Sequence, residues 1–484
     1  MMSGIFDGTG IASAASFVAN MQADWLPMLD DFFALEPGPL WPGSDDDRNR
    51  SRRQLQGVSR IVHGLSTPVR LAGNEMFADL FAGTGAMFFS MGPRSRRPID
   101  CEAVPIKEIA LARGPKGTEI DRWFWRRNYK ARHIAEIWSD GKIGDGLARL
   151  MRERRDVDVQ VTQYTYWDYR ESVFRHVAWT AHDKELLADE RLRVTPWVTP
   201  RMMVVPGEPF GRGLGHLGLA NVRTINKARE YALRAAAIQL LGIWVHRQDG
   251  VFNPETAMIA PGAFWEVGAV GGPHATLSRL DTPYNFDMAQ FVIGDERNEA
   301  RRVTLDDEIP ELADRVRSPT EIAARQRRYD RNRGGTSVRL AHEMIAPIAR
   351  ASIDVLERHG MIEQGLDIDN VLLAAVINSP AALAQSAAKV ERVTSWLQII
   401  IGLFGPQAAM LAGEVEALIP QLARWMGVEE RYLRTQGGTE ELKQMIAQYA
   451  AQMQMAEQAK GAQAEAQTMP DPDPVEQFVS SGAF

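Results

Sequence analysis

The sequence predicts an α+β chain that is mostly helical, and three observations carry that prediction. Residues 156–208 hold several short runs with the period-two alternation of strands, of which VDVQVTQYTYW is the clearest. Residues 214–241 and 318–360 each sustain an apolar pattern at helical spacing for far longer than a strand would. The chain has 484 residues, of which 45% are apolar and 24% charged, enough to bury a core in each of two to four domains.

The elements follow in order. Val18, Met21, Trp25, Met28, Leu29 and Phe32 fall at helical spacing, so a helix is expected over 17–33, and EPGPLWPGSDDD (36–47) stops it with prolines, glycines and acids. A second helical pattern runs from about Gln54 to Phe89. From Asp100 to Trp138 the texture changes to strand-like runs around Gly-Pro and Lys-Gly turns, and VAWTA, RVTPWV and RMMVV continue it. A long Ala- and Leu-rich helix (214–241) then leads into IWVHRQDGVFN and AMIAPGAFWEVGAVGG, short strands joined by Asp-Gly and Pro-Gly turns. Residues 284–303 return to helix, and the acidic stretch TLDDEIPELADRVR reads as a loop.

The next helix has a marked start. Ser318-Pro319-Thr320-Glu321 is a capping box with proline at the first helical position. Its stripe of Val338, Ala341, Ile345, Ile348 and Val355 runs to Gly360, with a kink expected at Pro347. One strand, VLLAAVI (371–377), precedes a helical remainder, including WLQIIIGLFGPQAAMLAG (396–413), which reads as helix, turn and helix rather than a membrane span. The last helix spans Glu440 to about Ala466, and TMPDPDPVEQFVSSGAF looks like an extended tail.

Composition excludes several kinds of chemistry. The net charge of -7 gives no global basic footprint for gripping nucleic acid. A single cysteine, Cys101, forbids an internal disulfide or a C-x-x-C motif and suits a reducing cytosol, and the N-terminus has no signal-peptide pattern. The nine histidines form no H-E-x-x-H, and neither G-x-S-x-G nor a phosphate-binding G-x-x-x-x-G-K-[ST] loop occurs, so no catalytic, metal or cofactor residue is assigned.

Gly213-Leu-Gly215-His-Leu-Gly218 does spell the dinucleotide fingerprint G-x-G-x-x-G. A five-residue Pro-Gly-Glu-Pro-Phe insert separates it from the preceding strand, and no acid stands about 20 residues on in a following strand. Glycines that allow a sharp turn into a closely packed helix are the better reading, with a dinucleotide-binding enzyme kept as a remote alternative.

The span 318–362 resembles the most recognisable segment of the portal, or head-to-tail connector, proteins of short-tailed bacteriophages. Thr320, Glu321, Ile322 and Arg325 match its start, Glu343, Pro347 and Ile348 its middle, and Gly360 its end. Phe210, Gly211 and Arg212 stand where that family has a Tyr-Gly-Arg-small segment before its first stem helix. FAGTGAMFFS (81–90), residues 104–138 and the C-terminal helix are also similar, whereas the stretch between Leu65 and Gly83 is shortened relative to the family.

The resemblance implies a portal fold assembled into a cyclic ring of about twelve subunits around a channel. Its parts would be a wing (1–208 and 319–380), stem helices (209–240 and 281–303), a clip (241–280), a tunnel loop (304–318), and a crown with C-terminal helix (381–466) followed by the tail (467–484). It implies a virion protein, assembled in the host cytoplasm, that passes double-stranded DNA. Its partners would be the terminase large subunit, tail adaptor and nozzle proteins, and major capsid and scaffold proteins, with no membrane. Another ring or adaptor component of the head-tail junction is the alternative. Within that frame Arg301, Arg302, Asp306, Asp307, Glu308, Arg315 and Arg317 are channel candidates. Trp244, Phe252, Phe264 and Trp265, too many large apolar side chains for a short insert to bury alone, are clip-interface candidates. Ser318 and Glu321 are the helix cap.

Overall fold

The computed structural model describes residues 4–38, 40–42, 44–91, 97–115, 119–138, 144–181, 184–241, 243–246, 277–280, 286–306, 338–363, 373–377, 380–404 and, from there on, only 418, 421–423 and 425–426. Contacts divide the chain into two units, Met1–Ala381 and Ala382–Phe484.

Helix α1 (Thr9–Trp25) buries Ser13, Phe17, Met21 and Trp25, one residue per turn. It ends earlier than the sequence predicts. Phe32 and Phe33 are completely buried beyond it, and both donate backbone N–H groups to Nε2 of His63, at 3.1 and 3.4 Å. A tertiary acceptor thus overrides the local helical spacing, and the chain enters β1 (Phe33–Pro37) instead.

The expected single helix over 54–89 is two helices and a strand: α2 (Asp45–Leu65), α3 (Thr67–Ala82) and β2 (Met87–Met91). Ser44 caps α2, accepting from Asp47 N while Asp47 accepts from Ser44 N, each at 3.3 Å. The acids read as a loop signal are therefore a helix start. Pro68 in the first turn of α3 separates the two helices.

Strand β3 (Ile99–Ala103) pairs with β2. An antiparallel meander follows, ordered β4 (Ile109–Arg113), β5 (Ile120–Lys130), β6 (Asp158–Asp168), β7 (Val173–Thr180) and β8 (Leu186–Leu192). Two helices, α4 (Ala131–Ile137) and α5 (Asp145–Glu153), interrupt it. Strand β8, LLADERL, escapes sequence reading because its centre is exposed and charged. The inner face of the meander packs Ile109, Leu111, Trp123 and Trp125 around Trp197 of β9 (Trp197–Val198). Short β10 (Met203–Val204) and β11 (Gly211–Arg212) pair just before α6 (Leu214–Leu217) and α7 (Leu219–Leu241).

Beyond α7, β12 (Ile243–His246) pairs antiparallel with β13 (Leu277–Leu280), and α8 (Phe286–Val303) returns. The sequence names the first of these strands but not the second. Residues 338–340 are helical, Ala341–Ile345 form a π-turn, and α9 spans Ala346–Arg358. The π-turn answers the kink expected at Pro347. Proline lacks the N–H that would bond the carbonyl of Glu343, and a one-residue widening of the helix absorbs that loss. Gly360, at φ +67°, ends the helix with Met361 N donating to Leu356 O at 3.0 Å. Strand β14 (Leu373–Ile377) pairs with β1, joining the two ends of the first unit. Its main core unites α1, α2, α3, β2, β3 and α9, with Phe77, Leu80, Met344, Ile348 and Leu356 all but fully buried. Helix α10 (Pro380–Phe404) follows.

Candidate functional site

The lead-in of α7 and the π-turn before α9 meet at one buried ion pair. Arg201, only 2% exposed, donates from its backbone N and Nε to Oε2 of Glu343 (3.1 and 3.0 Å) and from Nη2 to Oε1 (2.7 Å). Arg339, one turn earlier, adds a 3.0 Å bond to the same Oε1. Glu343 lies in the π-turn. The backbone around Arg201 is tied in as well. Gly85 N donates to Pro200 O (3.0 Å), Met202 N to Gly83 O (2.9 Å) and Gly211 N to Thr84 Oγ1 (2.7 Å). Glu343, matched only as part of a family pattern, is thus the charge that holds α9 to the lead-in of α7.

The three glycines of G-x-G-x-x-G explain themselves by packing. A Cβ on Gly213 would collide with the backbone of Phe81, Ala82 and Gly83, and one on Gly215 would lie 2.7 Å from the Phe81 ring. Gly83 itself holds φ +148° with the Gly211 carbonyl against it. The chain therefore turns over the end of α3 at backbone-to-backbone distance. Gly213→Ala is expected to destabilise the protein by about 2 kcal/mol, since only backbone could yield. Chemical denaturation measures this, and a neutral substitution would contradict the close approach.

Helices α7 and α8 run antiparallel. Gly218 lies beside Val303 and Thr304, and Ile225 packs on Ile293 and Ala300. Beyond the end of α8 at Val303, Leu305 is held at φ 56°, with Leu305 N bonded to Arg302 O (3.2 Å) and Asp306 N to Arg301 O (2.9 Å). Arg301 and Arg302 are exposed there, and Arg302 pairs with Glu299 at 2.9 Å. Asp306 is half-buried and accepts from Ser13 Oγ at 2.9 Å, so it is anchored to α1. These three candidates thus gather at one end of the pair. Trp244 stands opposite Arg279 in β12 beyond the other end of α7, about 34 Å away at 1.5 Å per residue. Asp307, Glu308, Arg315, Arg317, Ser318, Glu321, Phe252, Phe264 and Trp265 lie outside the described residues.

Sequence reasoning missed a staple at the N-terminus. Asn226 of α7 accepts from Phe6 N (2.7 Å) and Asp7 N (3.2 Å) and donates to Gly4 O (2.9 Å). Asp7 in turn pairs with Arg297 of α8, whose Nε stands 3.1 Å away. Burial works against the Asp7 charge, but hydrogen bonds from Thr9 and Arg297 outweigh it and hold the carboxyl below its usual range. No local signal marks partners some 220 residues apart.

No three His, Cys, Asp or Glu among the described residues could share a metal, and no helix among them is long and apolar enough to cross a membrane. Burial, with Asp100 and Glu102 nearby, pushes the Cys101 thiol up to about 12, which leaves it unreactive.

No curated protein matches the chain. A chain from a solved structure, the neck of an empty GTA particle computed with C6 symmetry, is similar at 11% identity and TM-score 0.37, over 80% of this chain and 86% of that one. A likeness that weak carries no argument. The family comparison is decisive: residues 2–433 match the bacteriophage head to tail connecting proteins, and the chain belongs to that family of structural proteins.

Proposed function

We propose that the chain is a portal subunit, about twelve copies of which close into a ring at one capsid vertex. Double-stranded DNA is driven inward through its axis by a separate motor and later leaves through a tail docked on the same ring. The observation that carries this reading is the connector-family match over residues 2–433. The antiparallel α7/α8 pair, rising from a junction with α3 and α9, suits a stem. On this reading 241–280 is the clip, which meets the terminase large subunit and the tail adaptor and nozzle proteins. Residues 1–208 and 319–380 form the wing, facing the major capsid and scaffold proteins, and 381–466 form the crown. The protein is assembled in the host cytoplasm and ends in the virion.

Charge supports the reading. A conduit must not hold DNA, because each neutralised phosphate adds affinity by counterion release and a ring multiplies every cation by its copy number. The chain is net negative at -7, and its 304–318 segment carries Asp306, Asp307 and Glu308 directly after Thr304 and Leu305. Asp306 is already engaged by Ser13, so Asp307 and Glu308 are the cleaner test. Asp307→Lys with Glu308→Lys is expected to leave the ring intact and to lower packaged DNA at least tenfold, as cations lining the channel grip the duplex. Normal packaging and infectivity would remove the channel assignment of this loop.

A further inference from the structure

The five-stranded meander buries one of its faces. Ile109, Leu111, Trp123 and Trp125 lie on it, and so do Val159 and Val161 further along. Among the described residues no buried apolar cluster forms on the opposite face, where Arg122, Phe124 and Arg126 of β5 alternate with the buried tryptophans and are all exposed. Register sets that outer face out in rows. Phe124 stands opposite Tyr164 of β6, and Tyr164 opposite Val177 of β7, an apolar seam about 10 Å long at 4.8 Å per strand. On one side of the seam Arg122, Tyr166, Arg175 and Arg191 follow one another across the strands. On the other side stands Arg126, about 14 Å from Arg122 at 3.4 Å per residue.

Two of the arginines are compensated within the chain. Arg175 pairs with Asp189 at 2.7 Å and Arg191 with Glu171 at 3.0 Å. Arg122 reaches the buried Asp121 at 3.8 Å, but that carboxylate already accepts from the Tyr169 hydroxyl at 2.8 Å. Arg126 has no ion pair among the described residues. The surplus of positive charge therefore falls on the two positions that bracket Phe124, in a chain whose net charge is -7. Phe124 is 40% exposed. Its ring and that of Tyr166 both stack on Tyr164, with centroids 4.2 and 4.8 Å away and planes inclined by 16° and 19°. The faces of Tyr164 are occupied by its neighbours, so ring edges and hydroxyls, the electropositive rim of an aromatic cluster, are what a partner meets.

We infer that this face docks an acidic segment of another protein, one that lays an apolar side chain on the seam of Phe124, Tyr164 and Val177 and sets carboxylates against Arg122 and Arg126 on its two sides. Charge complementarity selects the sign of the partner, and the seam selects its kind. Nucleic acid would bring phosphate to the arginines, but its bases bind aromatic side chains face to face, and Tyr164 has no free face. It would also leave Phe124 and Val177 without apolar cover. The docking needs only the folded sheet, so it is separable from the portal reading.

The probe is a fluorescein-labelled synthetic peptide of leucines set among glutamates, titrated with the full chain and read as anisotropy. Two control peptides carry serine in place of the leucines or lysine in place of the glutamates. The first peptide is expected to bind about tenfold more tightly than either control. Arg122→Ser with Arg126→Ser, or Phe124→Ser alone, should weaken it by about tenfold with an unchanged circular dichroism spectrum, since all three side chains are exposed. If a variant fails to fold, Arg126→Gln alone should still weaken binding measurably. In phage particles, photocrosslinking with Phe124 replaced by benzoylphenylalanine should land on a net-acidic segment of another protein. Equal binding of the three peptides, or binding that folded variants leave unchanged, would overturn the docking face. So would crosslinks that land on DNA or only on this chain, in the same copy or a second one.

Discussion

Glu343→Ala is expected to cost about 3–5 kcal/mol of folding stability, read from chemical denaturation. It strands the Arg201 guanidinium, whose side chain is only 3% exposed, without its bidentate partner. The loss falls at a junction that α9, the 83–86 segment and the lead-in of α7 all share. Glu343→Gln keeps the shape and one acceptor and should cost less. The double variant Arg201→Met with Glu343→Leu separates charge from packing: removing both ions removes both desolvation costs, so it should regain part of the loss. It should not regain all of it, because the Arg201 N–H that bonds Oε2 is left without an acceptor, at roughly 1–3 kcal/mol. A Glu343→Ala loss below about 1 kcal/mol would show that the pair does not hold the junction.

Acid should weaken the protein well above the carboxylate range, and His176 is the main reason, with buried His63 acting in the same direction. The His176 ring is buried against Phe88, with Nδ1 2.8 Å from Thr165 Oγ1, which also accepts from Trp197 Nε1. Burial lowers its pKa from an ordinary 6.5 to about 4. Between those values the unfolded chain binds a proton that the folded chain refuses. The stabilisation is therefore complete above pH 6.5 and is lost as pH falls toward 4, by roughly 3 kcal/mol in all. Asp7, also depressed when folded, adds a second loss only as pH falls below its ordinary 3.8. His176→Gln should reduce the limb between pH 6.5 and 4 and leave the lower one; the share that remains below 6.5 belongs to His63, whose pKa burial also lowers and whose Nε2 accepts from Phe32 N and Phe33 N. A wild-type midpoint constant from pH 7 to 4.5 would contradict a neutral buried imidazole.

What the sequence disclosed depended on how local each cause is. Helix α7, helix α8, the helix end at Gly360 and strands such as β6 were legible because their periodicity or turn chemistry lies within their own residues. The strand 373–377 was legible by its apolar run, although its partner β1 was not, since Phe32 and Phe33 leave the helical pattern only to reach His63. Ser44 and Asp47 were read as a loop because the capping box stood among prolines that dominate the local signal. The glycine motif shows the opposite hazard: Gly213, Gly215 and Gly218 fit a ligand-binding pattern for reasons that lie in Phe81 and Thr304. Of the site candidates, Arg301, Arg302 and Asp306 share one helix end, but the tie from Asp306 to Ser13 crosses 293 residues and leaves no trace in either neighbourhood.

The most direct test of the portal reading is an image of the purified full chain by negative-stain electron microscopy, averaged without imposed symmetry. Closed rings of about twelve subunits with an axial channel wide enough for duplex DNA are the predicted result. Monomers, two-fold dimers or open filaments at every concentration would contradict it.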